Sequence, residues 1–152
     1  MRKYFITSMI ILSAATLVTN CGKKDDKKDT YTVTGSGSGK QEVPANMSNG
    51  TSTVTGSYRL GVRILQFTVN WTGLTTNATM MHFHGPADMG VNAPVLIPIT
   101  GFTSATSGTY SGVDTFTVDQ EAALLAGKLY YNVHTTTIPG GEVRAQLSAT
   151  HD

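Results

Sequence analysis

Cysteine is almost absent: the chain holds one, Cys21. A lone thiol cannot close an internal disulfide, so the fold must rely on burial. Charge is also scarce. Only 14% of the residues are charged, and from Thr30 onward five basic side chains (Lys40, Arg59, Arg63, Lys128, Arg144) face seven acidic ones (Glu42, Asp88, Asp114, Asp119, Glu121, Glu142, Asp152). No basic stripe is available to displace counterions, which excludes a nucleic-acid partner. Long apolar runs are missing too. The longest apolar core, residues 9–18, falls short of the ~20 residues a membrane span needs. No repeat of roughly 20–50 residues argues for a solenoid or propeller. Finally, no Ser-His-Asp order, phosphate loop or cysteine nucleophile stands out, so the chain is not expected to be an enzyme.

What the N-terminus does contain is an export address. Arg2 and Lys3 precede an uncharged, mostly apolar run over residues 4–18, the order of a secretory signal peptide. The run ends in Leu17-Val18-Thr19-Asn20-Cys21, which resembles a bacterial lipobox, where the cysteine is lipidated and becomes the mature N-terminus. That resemblance implies a signal peptide over 1–20 and a membrane anchor on Cys21. Gly22-Lys23-Lys24-Asp25-Asp26-Lys27-Lys28-Asp29 is too charged to fold. Gly35-Ser36-Gly37-Ser38-Gly39 has the composition of a flexible linker. Residues 21–38 therefore read as a lipidated, flexible tether. A lysine and two acids soon after the cysteine resemble the surface-export signal of Bacteroidetes-type lipoproteins. Any charged spacer would serve as well, so the expected location is the cell envelope, as an outer membrane lipoprotein, with surface display and the inner face both left open.

From Thr30 onward the chain is rich in Thr, Val, Gly, Ser and Tyr, the residues of strands and turns. Apolar residues alternate with polar ones at Leu65, Phe67, Val69 and Trp71. The pattern predicts a hairpin over 53–60 and 63–72. It predicts further strands over 79–84, 94–99, 108–117, 128–136 and 142–148, and a short one near 40–43. One segment differs. Thr117 and Gln120 are spaced as a capping box, and Ala122 to Ala126 are good helix formers ahead of Gly127, which predicts a helix over 118–126 with Leu124 and Leu125 in the core. Short, evenly spaced strands with one-sided apolar alternation imply an all-β, antiparallel two-sheet β-sandwich with one short helix. A closed barrel is the alternative.

The chemistry-bearing residues fall on the later strands. In a strand, residues i and i+2 share a face, so His82 and His84 point together, opposite Met81 and Phe83. Likewise Tyr130, Asn132 and His134 share a face, as do Glu142, Arg144 and Gln146. The expectation is that His82, His84 and His134 converge, with Asn132, Glu142 and Arg144 forming a polar network nearby. Two readings stay open. Three imidazoles can ligate Zn or Cu. Alternatively, the histidines and an Arg–Glu pair satisfy polar groups of the Gly85-Pro86-Ala87 loop. No cofactor is assigned beyond Zn or Cu as candidates. The His-x-His spacing superficially resembles Cu/Zn superoxide dismutase, but four histidines, His151 among them, are too few for that two-metal centre. Met80, Met81 and Met89 could serve Cu(I), though methionine commonly fills core gaps. Tyr130 is a candidate exposed aromatic for a glycan.

Four segments, in order, resemble the CHRD domain family, named for its repeats in chordin. They are Gly39-Lys40-Gln41-Glu42-Val43-Pro44; His82-Phe83-His84-Gly85-Pro86-Ala87 with Gly90-Val91-Asn92-Ala93-Pro94-Val95; Leu124-Leu125-Ala126-Gly127-Lys128-Leu129-Tyr130-Tyr131-Asn132-Val133-His134-Thr135; and Pro139-Gly140-Gly141-Glu142-Val143-Arg144-Ala145-Gln146-Leu147. The resemblance implies an extracellular Ig-like or superoxide-dismutase-like sandwich domain over 39–152, and a non-enzymatic module that binds protein or glycan. It assigns no catalytic residue.

Overall fold

The computed structural model describes residues 29–152, so the signal peptide expected over 1–20 and the expected lipidation site Cys21 lie outside the described residues. Nine strands form: β1 Thr30–Ser38, β2 Thr51–Arg59, β3 Ile64–Thr72, β4 Ala78–His84, β5 Val95–Ile99, β6 Gly108–Thr115, β7 Tyr130–Thr135, β8 Val143–Gln146 and β9 Ser148–His151. One helix, α1 Val118–Leu125, separates β6 from β7. No helix among the described residues is long and apolar enough to cross a membrane.

The fold is mostly antiparallel β with one short helix, as the alternation predicts. The two separate sheets are not what the hydrogen bonds draw. One nine-stranded sheet runs in the order β5-β4-β7-β8-β1-β2-β3-β6, with β9 also on β1. It curls towards a closed barrel, bringing β3 against β4: the rings of Phe67 and Phe83 meet edge-on at 5.0 Å. The interior holds Leu65, Phe67, Val69 and Trp71 of β3, Met81 and Phe83 of β4, and Tyr131 and Val133 of β7.

The reason for the single sheet is β1, the stretch read as the tether's end. Residues 30–38 form a strand paired with β2 along its whole length, from Thr30↔Arg59 to Ser38↔Thr51. Its other edge meets β9 at Tyr31 to Thr34 and β8 at Ser38. Glycine is used here for close approach rather than flexibility. A Cβ on Gly35 would lie 2.9 Å from Leu147 Cδ2, and one on Gly37 would collide with Ser52 Oγ and reach 3.0 Å from the Arg144 carbonyl oxygen. The strand expected near 40–43 is instead a 3₁₀ turn, Gly39–Gln41, because the Glu42 and Asn46 amides both return to Gly39 O. The last predicted strand is interrupted at Leu147, whose amide donates to Leu129 O at 2.9 Å.

The helix follows its capping signal. Gln120 N donates to Thr117 Oγ1 at 3.2 Å, and Thr117 N donates to Gln120 Oε1 at 2.9 Å. Gly127, at φ 68°, turns the chain out. Leu124 is fully buried, but Leu125 is exposed, since adjacent helical residues point about 100° apart and only one can enter the core.

Gly37→Val should destabilise the protein by about 1–3 kcal/mol in urea unfolding, through overpacking between β1 and its neighbours. Gly61→Ala, where an added methyl meets nothing within 4 Å, should be close to neutral. Equal unfolding midpoints for the two variants would show that β1 is not tightly packed.

Candidate functional site

β7 is buried along its whole length, on both faces. Its inward side chains, Tyr131 and Val133, belong to the apolar core. Its outward ones, Tyr130, Asn132 and His134, are just as buried, because the 85–94 and 39–50 loops lie over this part of the sheet. Strand register sets the neighbours. Met80 pairs with His134, His82 with Asn132 and His84 with Tyr130 across β4 and β7, and Asn132 pairs with Arg144 across β7 and β8.

Three imidazoles converge as the alternation predicts. Their ligand nitrogens all lie within 4.8 Å of one another. His82 Nδ1 is 3.2 Å from His134 Nε2. Asn132 Oδ1 lies 3.0 Å from His84 Nε2 and 3.1 Å from His134 Nε2. On their far sides, His84 Nδ1 is 3.0 Å from Ala93 O and His134 Nδ1 is 2.8 Å from Pro139 O.

Those two carbonyls decide the tautomers. A carbonyl oxygen only accepts, so Nδ1 must carry the proton in both His84 and His134. A neutral imidazole has one N–H, so each Nε2 presents an unshared pair to the centre. Charging His84 instead is opposed by burial, which pushes its pKa down against the raising effect of Ala93 O and Asn132. Burial and the neighbouring His134 and His84 lower His82 to about 4. His84 and His134 thus turn Nε2 unshared pairs inward, and a His82 Nδ1–H can donate to His134 Nε2 at 3.2 Å. An amide carbonyl oxygen aimed at two unshared pairs is repulsive unless a cation sits among them or the amide turns to present its NH₂.

Arg144 joins the group through an aromatic ring. Tyr130 lies between His84, stacked at 4.7 Å and 2°, and the Arg144 guanidinium, whose Cζ is 3.5 Å from the ring centre. Arg144 also donates to Asn92 Oδ1 at 3.2 Å and to Val91 O at 2.8 Å. Tyr130 is therefore buried and not an exposed platform for a glycan. Its hydroxyl bonds to both the amide and the carbonyl of Ala93.

Glu142 and Arg144 do not pair. Glu142, fully buried, accepts from Ser48 Oγ at 2.6 Å, Thr75 N at 2.7 Å, Thr75 Oγ1 at 2.8 Å and Thr135 Oγ1 at 2.6 Å. Burial alone would raise its pKa, but these bonds prevail and hold the carboxyl below the usual range. The acid beside Arg144 is Glu42, which the sequence reading passed over although it lies in one of the four matching segments. Burial raises Glu42 to about 7, against the opposing effects of Arg144 and a hydrogen bond from Asn132. Its Oε1 has no hydrogen-bond partner among the described residues. A Cβ on Gly141, at φ 125°, would stand 2.5 Å from that oxygen. The fourth histidine, His151, packs edge-on against Tyr31 at 4.9 Å, on β9 and outside the cluster.

The structure thus gathers His82, His84, His134 and Asn132, ties Arg144 to them through Tyr130, and places Glu142 in a separate set of bonds. The two carboxylates pull stability in opposite directions with pH. Glu42, raised from 4.5 to about 7, is ionised first in the unfolded chain, so its contribution falls as pH climbs between those values. Glu142, held low, contributes above the ordinary carboxylate range and loses that contribution as pH falls through its folded value. Glu42→Gln should therefore gain stability relative to the parent as pH rises from about 5 to about 7. Urea unfolding of both proteins across that range reads the difference; a constant offset would contradict the raised pKa.

Comparison with known proteins adds one finding. The family model described as the CHRD domain matches residues 33–147, a span that begins inside β1. No curated protein and no solved structure matches the chain.

Proposed function

The chain belongs to the CHRD domain family, and from that premise we propose that it is a non-catalytic module of the cell envelope that holds a transition-metal ion on His82, His84 and His134. The family match supports a non-enzymatic binding or structural module; the metal is our addition. One observation carries it. Two buried imidazoles are committed to Nδ1–H by backbone carbonyls, so their Nε2 atoms must offer unshared pairs to a common centre. Backbone carbonyls that orient ligating imidazoles in this way are the usual second layer of a metal centre.

The dimensions suit a small ion. Zinc–nitrogen bonds of about 2.0–2.1 Å at tetrahedral angles separate ligand nitrogens by roughly 3.3 Å. His82 Nδ1 and His134 Nε2 are 3.2 Å apart, at that span; the three ligand nitrogens spread over up to 4.8 Å, so binding a zinc ion draws the widest pair together. Imidazole favours zinc and copper over magnesium or calcium, which want oxygen. His82 is half-buried, which leaves an approach from solvent. Arg144 and Tyr130 hold His84 in place, and Asn132 sits where its carbonyl oxygen can face the ion. A protein or glycan ligand, carried on the surrounding loops, is compatible with this role.

For the location, the basic start, short apolar run and Cys21 support secretion and lipidation at an outer membrane, with the charged residues 22–29 leading to β1. Cys21→Ser should abolish incorporation of radiolabelled palmitate and release the protein from the membrane fraction. Labelling that survives the change would remove the anchor from the proposal.

Calorimetric titration of the metal-free protein with Zn²⁺ at neutral pH should give one site per chain. His82→Ala, His84→Ala and His134→Ala should each weaken binding by about tenfold or more. Absence of heat, confirmed by metal analysis after dialysis against Zn²⁺ and Cu²⁺, would defeat the metal reading.

A further inference from the structure

We infer that the three-histidine centre is selective for cuprous copper and that Met80 is its soft fourth ligand. The inference rests on the metal reading above and extends it to the identity of the ion. Along β4, Met80, His82 and His84 share the outer face, two residues apart. Across to β7, Met80 is the direct register partner of His134, a relation that places Cβ atoms about 4.5–5.5 Å apart. The thioether is thus flanked by one of the three ligands along its own strand and by another across the ladder.

Packing does not account for Met80. It is 46% exposed, whereas Met81, its neighbour in sequence, is fully buried. Met81 fills the core, and its sulfur accepts from Tyr131 Oη at 3.6 Å. Met80 instead lines a groove of about 560 Å³ together with His82, Pro98, Gly101 and Ser104. Three rotatable bonds let the thioether swing within that space. The groove opens beside His82, the one of the three imidazoles among its lining residues.

The charge of the site points the same way. No carboxylate or cation lines this groove, and the ligand cluster itself is histidine alone. A divalent ion among neutral imidazole donors, with the Arg144 cation stacked on Tyr130 behind His84, keeps its full double charge. The Born cost scales with the square of the charge, so a monovalent ion is penalised on the order of one quarter as much. Thioether and imidazole are soft to intermediate donors, and among first-row ions the soft, monovalent one is Cu(I). No electron transfer is invoked: the ion binds and leaves in one oxidation state.

The test is anaerobic competition of the full chain against bicinchoninate for Cu(I), alongside Zn²⁺ titration of the same preparations. The parent should take up one Cu(I) per chain. Met80→Leu should weaken Cu(I) by about tenfold or more while leaving Zn²⁺ affinity within about twofold. Met89→Leu, a change at an exposed methionine outside this register, should alter neither. X-ray absorption of the Cu(I)-loaded parent should contain a sulfur scatterer that is lost in Met80→Leu. Unchanged Cu(I) affinity in Met80→Leu, with Zn²⁺ still held by the three histidines, overturns this inference and leaves the metal site standing. Failure of both ions to bind overturns the site itself.

Discussion

Glu142 has no exposed surface, so its charge must be met by hydrogen bonds inside the protein. Four donors do this, and they come from three places: Ser48 in the loop before β2, Thr75 in the loop before β4, and Thr135 at the end of β7. Thr135 in turn holds the 135–141 turn, where Ile138 N donates to Thr135 Oγ1 and Gly141 N returns to Ile138 O. That turn puts Pro139 O against His134 Nδ1. The tautomer of His134, and with it the donor character of the histidine centre, thus depends on how a carboxylate just before β8 is satisfied. Glu142 lies outside the centre and still determines its geometry.

The second consequence of the loops is a polar interior on the outer side of the sheet. A sheet face directed to solvent asks nothing of its polar side chains, since water satisfies them. Once the 39–50 and 85–94 loops lie over it, each group needs a named partner. Arg144 finds Tyr130, Asn92 and Val91 O. Gln146 reaches Ala87 O and Gly127 O. His84 takes Ala93 O on one side and faces Asn132 on the other. Among the described residues Glu42 Oε1, Gln146 Oε1 and Ser52 Oγ are left without a partner, and the Glu42 carboxyl responds by favouring the neutral form.

Alternation along single strands was legible from the residues alone. It located β2 to β7 within a residue or two at most ends, set Trp71 inside, and put His82, His84 and His134 on one face. The capping box at Thr117 and Gln120 was equally legible, because its partners are three residues apart. Relations across the chain were not. Composition treats Gly35-Ser36-Gly37-Ser38-Gly39 as a linker, and only the approach of Ser52 on β2, of β8 with Leu147, and of Asn46 reveals why its glycines carry no side chain. For the same reason Arg144 was assigned to Glu142, two residues away, when its acid is Glu42, about a hundred positions earlier. The carbonyls of Ala93 and Pro139 carry no residue-type signal at all, yet they fix both imidazoles.

The arrangement is costly for a purely structural device. A cluster of neutral imidazoles beneath a loop gives up apolar packing, and well-packed hydrophobic groups of similar volume often match or exceed such polar sets in stability. What the polar set adds is definition. Asn132 and His134 sit on β7, which is paired on both edges, to β4 and to β8. His82 and His84 sit on β4, which is paired to β5 and β7. Ligands on doubly paired strands lose little freedom when an ion arrives, and anchored Nδ1 atoms remove the remaining choice of tautomer. The same rigidity is of no use to a hydrogen-bonded plug, which needs only satisfied groups. Two carbonyl-anchored rings aim unshared pairs at one point, where a His82 N–H, a turned Asn132 amide or a cation each meets them.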